Sequence, residues 1–182
     1  MSTRQSTHKE THDILVKAAK AGLNVLLEGP HGTGKTAVIT EVAHELGFRL
    51  KYYSSSTLDP FVDLVGLPVP RTDAQGKPTV IYHRPTDINE AELVFFDEFN
   101  RAQPKVLNSI LEMIQFRSIN GEKLPNLKTV FAACNPAADA YDVVDLDPAL
   151  LDRFHIHMIF NPGPDREWFA KRFGEKLGCC PV

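Results

Sequence analysis

A three-layer α/β sandwich, with helices on both faces of a five-stranded parallel sheet, is the fold that this 182-residue chain predicts. Three observations lead there. Short apolar runs ("NVLLE", "LVFFD", "TVFAACN", "HIHMIF") alternate with helical patterns, as strands do in a parallel sheet covered by helices. A glycine-rich loop stands between the first of these runs and the helix that follows it. The composition, 43% hydrophobic and 24% charged, is that of an ordinary globular domain, and the length suits one.

The elements follow in order. The polar start "MSTRQSTHKETH" lacks the apolar stretch of a secretory signal. Residues 1–10 are therefore read as a tail that tightens into a helix over Thr11–Ala21, ended by Gly22. Asn24–Glu28 is a short buried strand, Lys35–Leu46 a helix stopped by Gly47, and Phe48–Ser54 the next strand. An excursion over 56–90 breaks this rhythm, and within it "DAQGKP", Asp73–Pro78, is turn chemistry between two strand arms. Leu93–Asp97 is an apolar strand. Pro104 opens a helix whose core face is Leu107, Ile110, Leu111 and Ile114. Asn120-Gly121, inside Ser118–Leu124, is a hairpin signal. Thr129–Asn135 is a strand, Pro148–Asp152 a short helix, His155–Phe160 the fifth strand and Pro164–Phe173 a last amphipathic helix. One core domain over 11–162 results, with 163–182 as a C-terminal helix and tail.

Several function classes fall away. No apolar run approaches the roughly 18–20 residues that cross a bilayer. An odd number of cysteines, three, argues against a disulfide framework and suits a reducing cytoplasm. Cys134 reads as a small buried hydrophobe, and the Cys179–Cys180 pair does not make a lipidation signal. Net charge is −3 without a basic block, so sequence-reading DNA binding is not advertised, although a local basic loop can still touch phosphates.

The loop "GPHGTGKT" carries the chemistry. It comprises Gly29, Pro30, His31, Gly32, Thr33, Gly34, Lys35 and Thr36, and matches G-x-x-x-x-G-K-S/T in full. Glycines let successive backbone N–H groups turn inward around phosphate oxygens, and the following helix adds the positive end of its dipole. Lys35 reaches the β/γ-phosphates of a nucleotide and the Thr36 hydroxyl ligates Mg²⁺. His31 is read as a loop residue beside the nucleotide.

"LVFFDEFNRA" narrows the possibilities. Asp97, at the end of its strand, is placed to hold Mg²⁺ opposite Thr36, and Glu98 to act as general base or water orienter. The competing reading is a solvated acidic pair. "TVFAACNP" ends in Asn135, whose amide reaches the attacking water or a γ-phosphate oxygen if its strand lies beside the loop strand. Asn-Pro is also a common turn starter.

Taken in this order, the loop, "DEFNRA", a helix, a hairpin, "NP" and "LDPALLDRF" resemble the MoxR branch of AAA+ ATPases over about residues 10–162. Related groups are CbbQ/NorQ and the dynein-related AAA domains. "DLVGL", Asp63–Leu67, and the turn-rich stretch after it resemble that branch's insert, and Ser118–Leu124 its hairpin before sensor 1. The resemblance implies ATP and Mg²⁺ as cofactors, Asp97 and Glu98 as Walker B, Asn135 as sensor 1, and self-assembly into rings that are usually hexameric. It also implies that Arg153, in "LDRF", is a finger reaching into the neighbouring subunit's site. A planar, permanently charged guanidinium suits the charge that develops on a transferring phosphoryl group. The competing reading is a surface arginine paired with Asp152 or capping a helix.

Two stretches depart from the family. Only about twenty residues follow "HIHMIF", so the helical lid is expected to be missing or truncated, with Arg166 and Arg172 in no recognisable sensor context. The glycine-rich stretch before Walker B is replaced by "HRPTDI". Arg101 is a candidate for a contact between subunits or a helix-start cation. Tyr82 and Phe61 are candidates to grip a substrate, against core or loop packing. His155 and His157 share a strand face as metal ligands can, against structural packing.

The function expected is an ATP-hydrolysing ring module that remodels a protein client or adaptor. The alternative is a nucleotide-gated assembly or scaffold module with little or no hydrolysis. A small-molecule kinase lacks recognisable acceptor-binding residues, and a nucleic-acid motor lacks a basic-aromatic stripe.

Overall fold

The computed structural model describes residues 7–83, 85, 87–136 and 148–162. The chain runs α1 (His8–Lys20), β1 (Val25–Glu28), α2 (Lys35–Leu46) and β2 (Leu50–Ser54). A π-helical turn (Pro60–Val65) leads to a hairpin of β3 (Leu67–Thr72) and β4 (Pro78–His83), followed by α3 (Asp87–Glu90) and β5 (Leu93–Asp97). A 3₁₀ turn (Phe99–Arg101), α4 (Pro104–Phe116), and a small hairpin of β6 (Ser118–Ile119) and β7 (Glu122–Lys123) come next. The described elements close with β8 (Thr129–Cys134), α5 (Pro148–Leu151) and β9 (Ile156–Ile159). The expected five-stranded sheet is present in the order β2-β5-β8-β1-β9, every pairing parallel.

Alternation along the strands makes the sandwich. Val25, Leu27, Phe95, Phe131 and Ala133 face α1 and α2, meeting Leu15, Ala19, Val38, Ile39 and Val42. Leu26, Val94, Phe96, Val130 and Ala132 face α4, meeting Ile110, Met113 and Ile114. The central strands β5 and β8 are thus buried on both faces, which is why they read as unbroken apolar runs.

Some boundaries and faces differ from expectation. The first helix begins at His8 rather than Thr11, because Thr7 caps it. Thr7 Oγ1 accepts the Glu10 N–H at 3.1 Å, and the Glu10 carboxylate accepts the Thr7 N–H at 3.1 Å. The core stripe of α4 is rotated: Val106, Ile110, Met113 and Ile114 are buried, whereas Leu107 and Leu111 lie at its flank. Both stripes satisfy helical periodicity, and only the position of the sheet chooses between them.

The two hairpins form as the turn signals predict, with Leu67 opposite His83 and Ser118 opposite Lys123. Phe61 and Tyr82, however, do not pack into a core. They stand exposed with Val62, Leu67 and Val80 on the π-helical turn and the β3–β4 hairpin, while buried Leu64 anchors this unit beneath. Among the described residues, no helix is long and apolar enough to cross a membrane. The helix expected over Pro164–Phe173, Arg166, Arg172 and the Cys179–Cys180 pair lie outside the described residues.

Candidate active site

β1 delivers the glycine-rich loop at the C-terminal edge of the sheet, and β5 and β8 end at the same edge. Gly34, at φ +90°, turns the chain into α2 without a side-chain cap, leaving the first-turn N–H groups of that helix to a ligand. The resulting cleft has a volume of about 440 Å³ and is lined by His31, Gly32, Thr33, Gly34, Lys35, Thr36, Asp97, Glu98 and Asn135. Ala37, Tyr52 and Ser54 complete the lining. Nine expected residues from three chain segments therefore meet in one place.

Gly29 and Pro30 stand behind this lining, where their backbone does the work. The Gly29 and Pro30 carbonyls accept Lys35 Nζ at 2.7 and 2.8 Å, and the Pro30 carbonyl also accepts Thr33 Oγ1 at 2.9 Å. A Cβ added at Gly29 would lie 2.0 Å from the Phe160 carbonyl oxygen, a backbone atom that cannot swing aside. Gly29→Ala should therefore displace the loop against β9. The expected outcome is a lower melting temperature and loss of nucleotide binding, measured by thermal denaturation and calorimetric titration.

Lys35 is buried, and desolvation lowers its pKa, with Asp97 opposing that shift. Its ammonium also donates to Asn135 Oδ1 at 2.9 Å, which places β8's last polar group against the loop. Thr36 Oγ1 donates to Asp97 Oδ2 at 2.7 Å. The other Asp97 oxygen accepts the Glu98 N–H at 2.9 Å. Burial and the charges of Asp97 and Glu98 raise the Tyr52 pKa, so the phenol stays protonated.

Glu98 adopts the left-handed region at φ +51°. A non-glycine residue there costs about 1–2 kcal/mol. Glu98 Oε2 accepts Ser56 Oγ at 2.9 Å, and Oε1 lies 3.5 Å from Arg101 Nη1. Arg101 thus pairs with Glu98 of the same chain. Next to Asn135, Cys134 is buried and its thiol is pushed up to about 12, so it is a packing group and no nucleophile.

Arg153 is not in the cleft. It precedes β9, whose first residue, Ile156, is opposite Val25 at the start of β1, so it lies at the sheet edge away from the loop. The turn is fixed by Arg153 N–H to the Leu150 carbonyl at 3.3 Å and by buried Phe154, whose ring meets Phe99 edge-on at 5.6 Å. The two histidines have separate tasks: His155 Nδ1 accepts the Asn24 N–H at 3.0 Å, while His157 Nε2 lies 2.9 Å from Glu28 Oε2. Among the described residues, no group of three side chains is suited to hold a metal through histidine, cysteine or carboxylate.

Four residues had no sequence signal read for them: Tyr52 and Ser54, which line the cleft, and Ser56 and Asn100, which bond to Glu98 and Asn135. The first three come from β2 and the loop after it, and Ser54 is opposite Asp97 in register. The hydroxyl run "YYSSS" was the available signal, but it points to the site only once β2 is known to neighbour β5.

Comparisons with known proteins bear on the family and the fold. The pattern of the AAA domain, dynein-related subfamily, matches residues 24–154. The Holliday junction branch migration complex subunit RuvB of Granulibacter bethesdensis is 30% identical over 96% of this chain and 47% of its own length. An uncharacterized protein of Staphylococcus epidermidis is 25% identical over 59% of this chain and 45% of its own. The chain spans less than half the length of these curated relatives. A crystal structure of a candidate ATPase from Cytophaga hutchinsonii superposes with a TM-score of 0.63 at 20% identity, over 93% of this chain and 50% of that one. This last likeness bears on the fold.

Proposed function

Because the chain belongs to the AAA domain family, in its dynein-related subfamily, we propose that it binds and hydrolyses Mg-ATP at sites shared between neighbouring copies in a ring, and thereby remodels a partner protein. One observation carries this reading. The cleft gathers Lys35, Thr36, Asp97, Glu98 and Asn135, whereas Arg153 is not among its lining residues and precedes β9, whose first residue pairs with the start of β1.

The donor set suits magnesium. A hydroxyl and a carboxylate 2.7 Å apart are hard oxygen donors, and Mg²⁺ is commonly held by one or two carboxylates together with substrate phosphates. When bound, Mg²⁺ neutralises charge on the phosphate oxygens. The chain's own groups have distinct tasks. Lys35 turns from the Gly29 and Pro30 carbonyls to the phosphates, and the α2 amides bind their oxygens. Asn135 reaches the γ-phosphate or the attacking water with its side-chain amide. Glu98, released from Ser56 and Arg101, takes the proton of that water. Arg153 completes the site of the next copy, which requires a head-to-tail, heterologous contact closing into a ring, with six copies as the expected number.

The exposed apolar residues Phe61, Val62, Leu67, Val80 and Tyr82 support a protein client or adaptor over a phosphate backbone, even though RuvB relatives are named for Holliday junctions. A free thiol at Cys134 is compatible with a cytoplasmic setting. A second reading, a nucleotide-gated scaffold with little hydrolysis, draws support from the Glu98 carboxylate being engaged by Ser56 and Arg101.

The test is Mg-ATP hydrolysis per chain across a wide protein concentration range. Specific activity should rise with concentration as neighbours complete each other's sites. Substantial activity that stays flat would refute shared sites, and binding without turnover at every concentration would favour the scaffold.

A further inference from the structure

The ladder between β5 and β8 stops at Phe96 opposite Ala132. The groups read as acting on the γ-phosphate end, Glu98 and Asn135, come after that point on two separate strand ends. Asn100 bridges them. Its side chain is buried, and Nδ2 donates to the Asn135 carbonyl at 2.8 Å. The opposite amide orientation would set oxygen against oxygen, so the donor must face this carbonyl. Asn100 Oδ1 is buried with no hydrogen-bond partner among the described residues.

Asn100 itself is well fixed. It lies in the 3₁₀ turn closed by Arg101 N–H to the Glu98 carbonyl at 2.8 Å and Ala102 N–H to the Phe99 carbonyl at 3.2 Å. Fully buried Phe99, wedged against Phe154, holds the turn from below. Asn135 therefore has two anchors: Asn100 on its carbonyl and Lys35 on its amide oxygen. The second must weaken when Lys35 moves to the phosphates. The first involves no group that contacts nucleotide.

We infer that Asn100 is a positioning residue that keeps the Asn135 amide aimed at the γ-phosphate and ties it to the turn bearing Glu98. This rests on the reading of Asn135 as a γ-phosphate contact. Asn100 touches no substrate; it acts through Asn135.

The experiment measures affinities for Mg-ADP and Mg-ATPγS by calorimetry, with melting temperatures, for the wild-type chain, Asn135→Ala and Asn100→Leu. Leucine matches asparagine in shape but cannot donate. Asn100→Ser, smaller and unable to reach the carbonyl, is carried in parallel in case leucine impairs folding. The quantity of interest is the preference for ATPγS over ADP. Asn135→Ala should reduce it about tenfold, the size of one buried hydrogen bond, and the Asn100 variants should reduce it comparably while ADP affinity stays near wild type; their melting temperature falls by a few degrees, because the Asn135 carbonyl loses its donor. A reduced preference in Asn135→Ala with a wild-type preference in both Asn100 variants overturns the positioning role alone. An equal fall in both affinities with a lower melting temperature would make Asn100 a structural residue and also overturns it. An unchanged preference in Asn135→Ala removes the γ-phosphate reading, and the inference with it.

Discussion

Arg153→Ala should lower ATP turnover per chain by roughly 10³–10⁵-fold, the range known for arginines that complete a phosphoryl-transfer site from outside. ADP affinity should remain at the wild-type value, because Arg153 is absent from the cleft of its own chain. The size of the effect follows from what arginine supplies. Its charge is permanent and its fork is planar, so it can meet two phosphoryl oxygens as charge grows on them in a site that excludes water. Arg153→Lys should recover little, since a point charge on a flexible stem lacks the fork. The fold should survive: Arg153 is half-buried, and Phe154 beside it supplies the packing that fixes the turn. Steady-state turnover, ADP titration and thermal denaturation together check this. Loss of ADP binding or a large drop in melting temperature would point to a structural arginine.

Glu98→Gln should reduce turnover by about 10²–10⁴-fold, the usual contribution of a positioned general base, and leave Mg-ATP bound. Glutamine keeps the size of the side chain and an oxygen to accept the Ser56 hydroxyl, now 2.9 Å from Glu98 Oε2, but it cannot take a proton. Stability should change little. The Arg101–Glu98 pair that it breaks lies at 3.5 Å between partly exposed groups, and such pairs contribute about 0–1 kcal/mol. Single-turnover measurements with pre-bound nucleotide separate the chemical step from binding. Unchanged turnover would remove Glu98 as the base.

What sequence could and could not convey follows from where each signal resides. The bounds of α2 were legible because Gly34 and Gly47, both at positive φ, punctuate it. The strands were legible because a doubly covered parallel sheet demands apolar runs, and the loop residues because phosphate binding constrains so many adjacent positions. The start of α1 was also written in the sequence, as the Thr7-x-x-Glu10 capping box, and was passed over for the polarity around it. Other features depend on strand order. Tyr52, Ser54 and Ser56 border Asp97 and Glu98 only because β2 pairs with β5, and the position of Arg153 follows from β9 running parallel to β1. Asn100 was hidden differently: inside a motif dominated by two carboxylates, nothing in its neighbours announces a hydrogen bond to a carbonyl on another strand.

The central claim is that one chain's Arg153 serves the next chain's Glu98. The most direct measurement is ATP hydrolysis by an equimolar mixture of Glu98→Gln and Arg153→Ala chains, each nearly inactive alone. In a randomly mixed ring, about a quarter of the contacts join an intact cleft to an intact arginine across a heterologous interface. Shared sites therefore predict that the mixture regains about a quarter of wild-type activity. A mixture no more active than the mean of its two components would contradict the account.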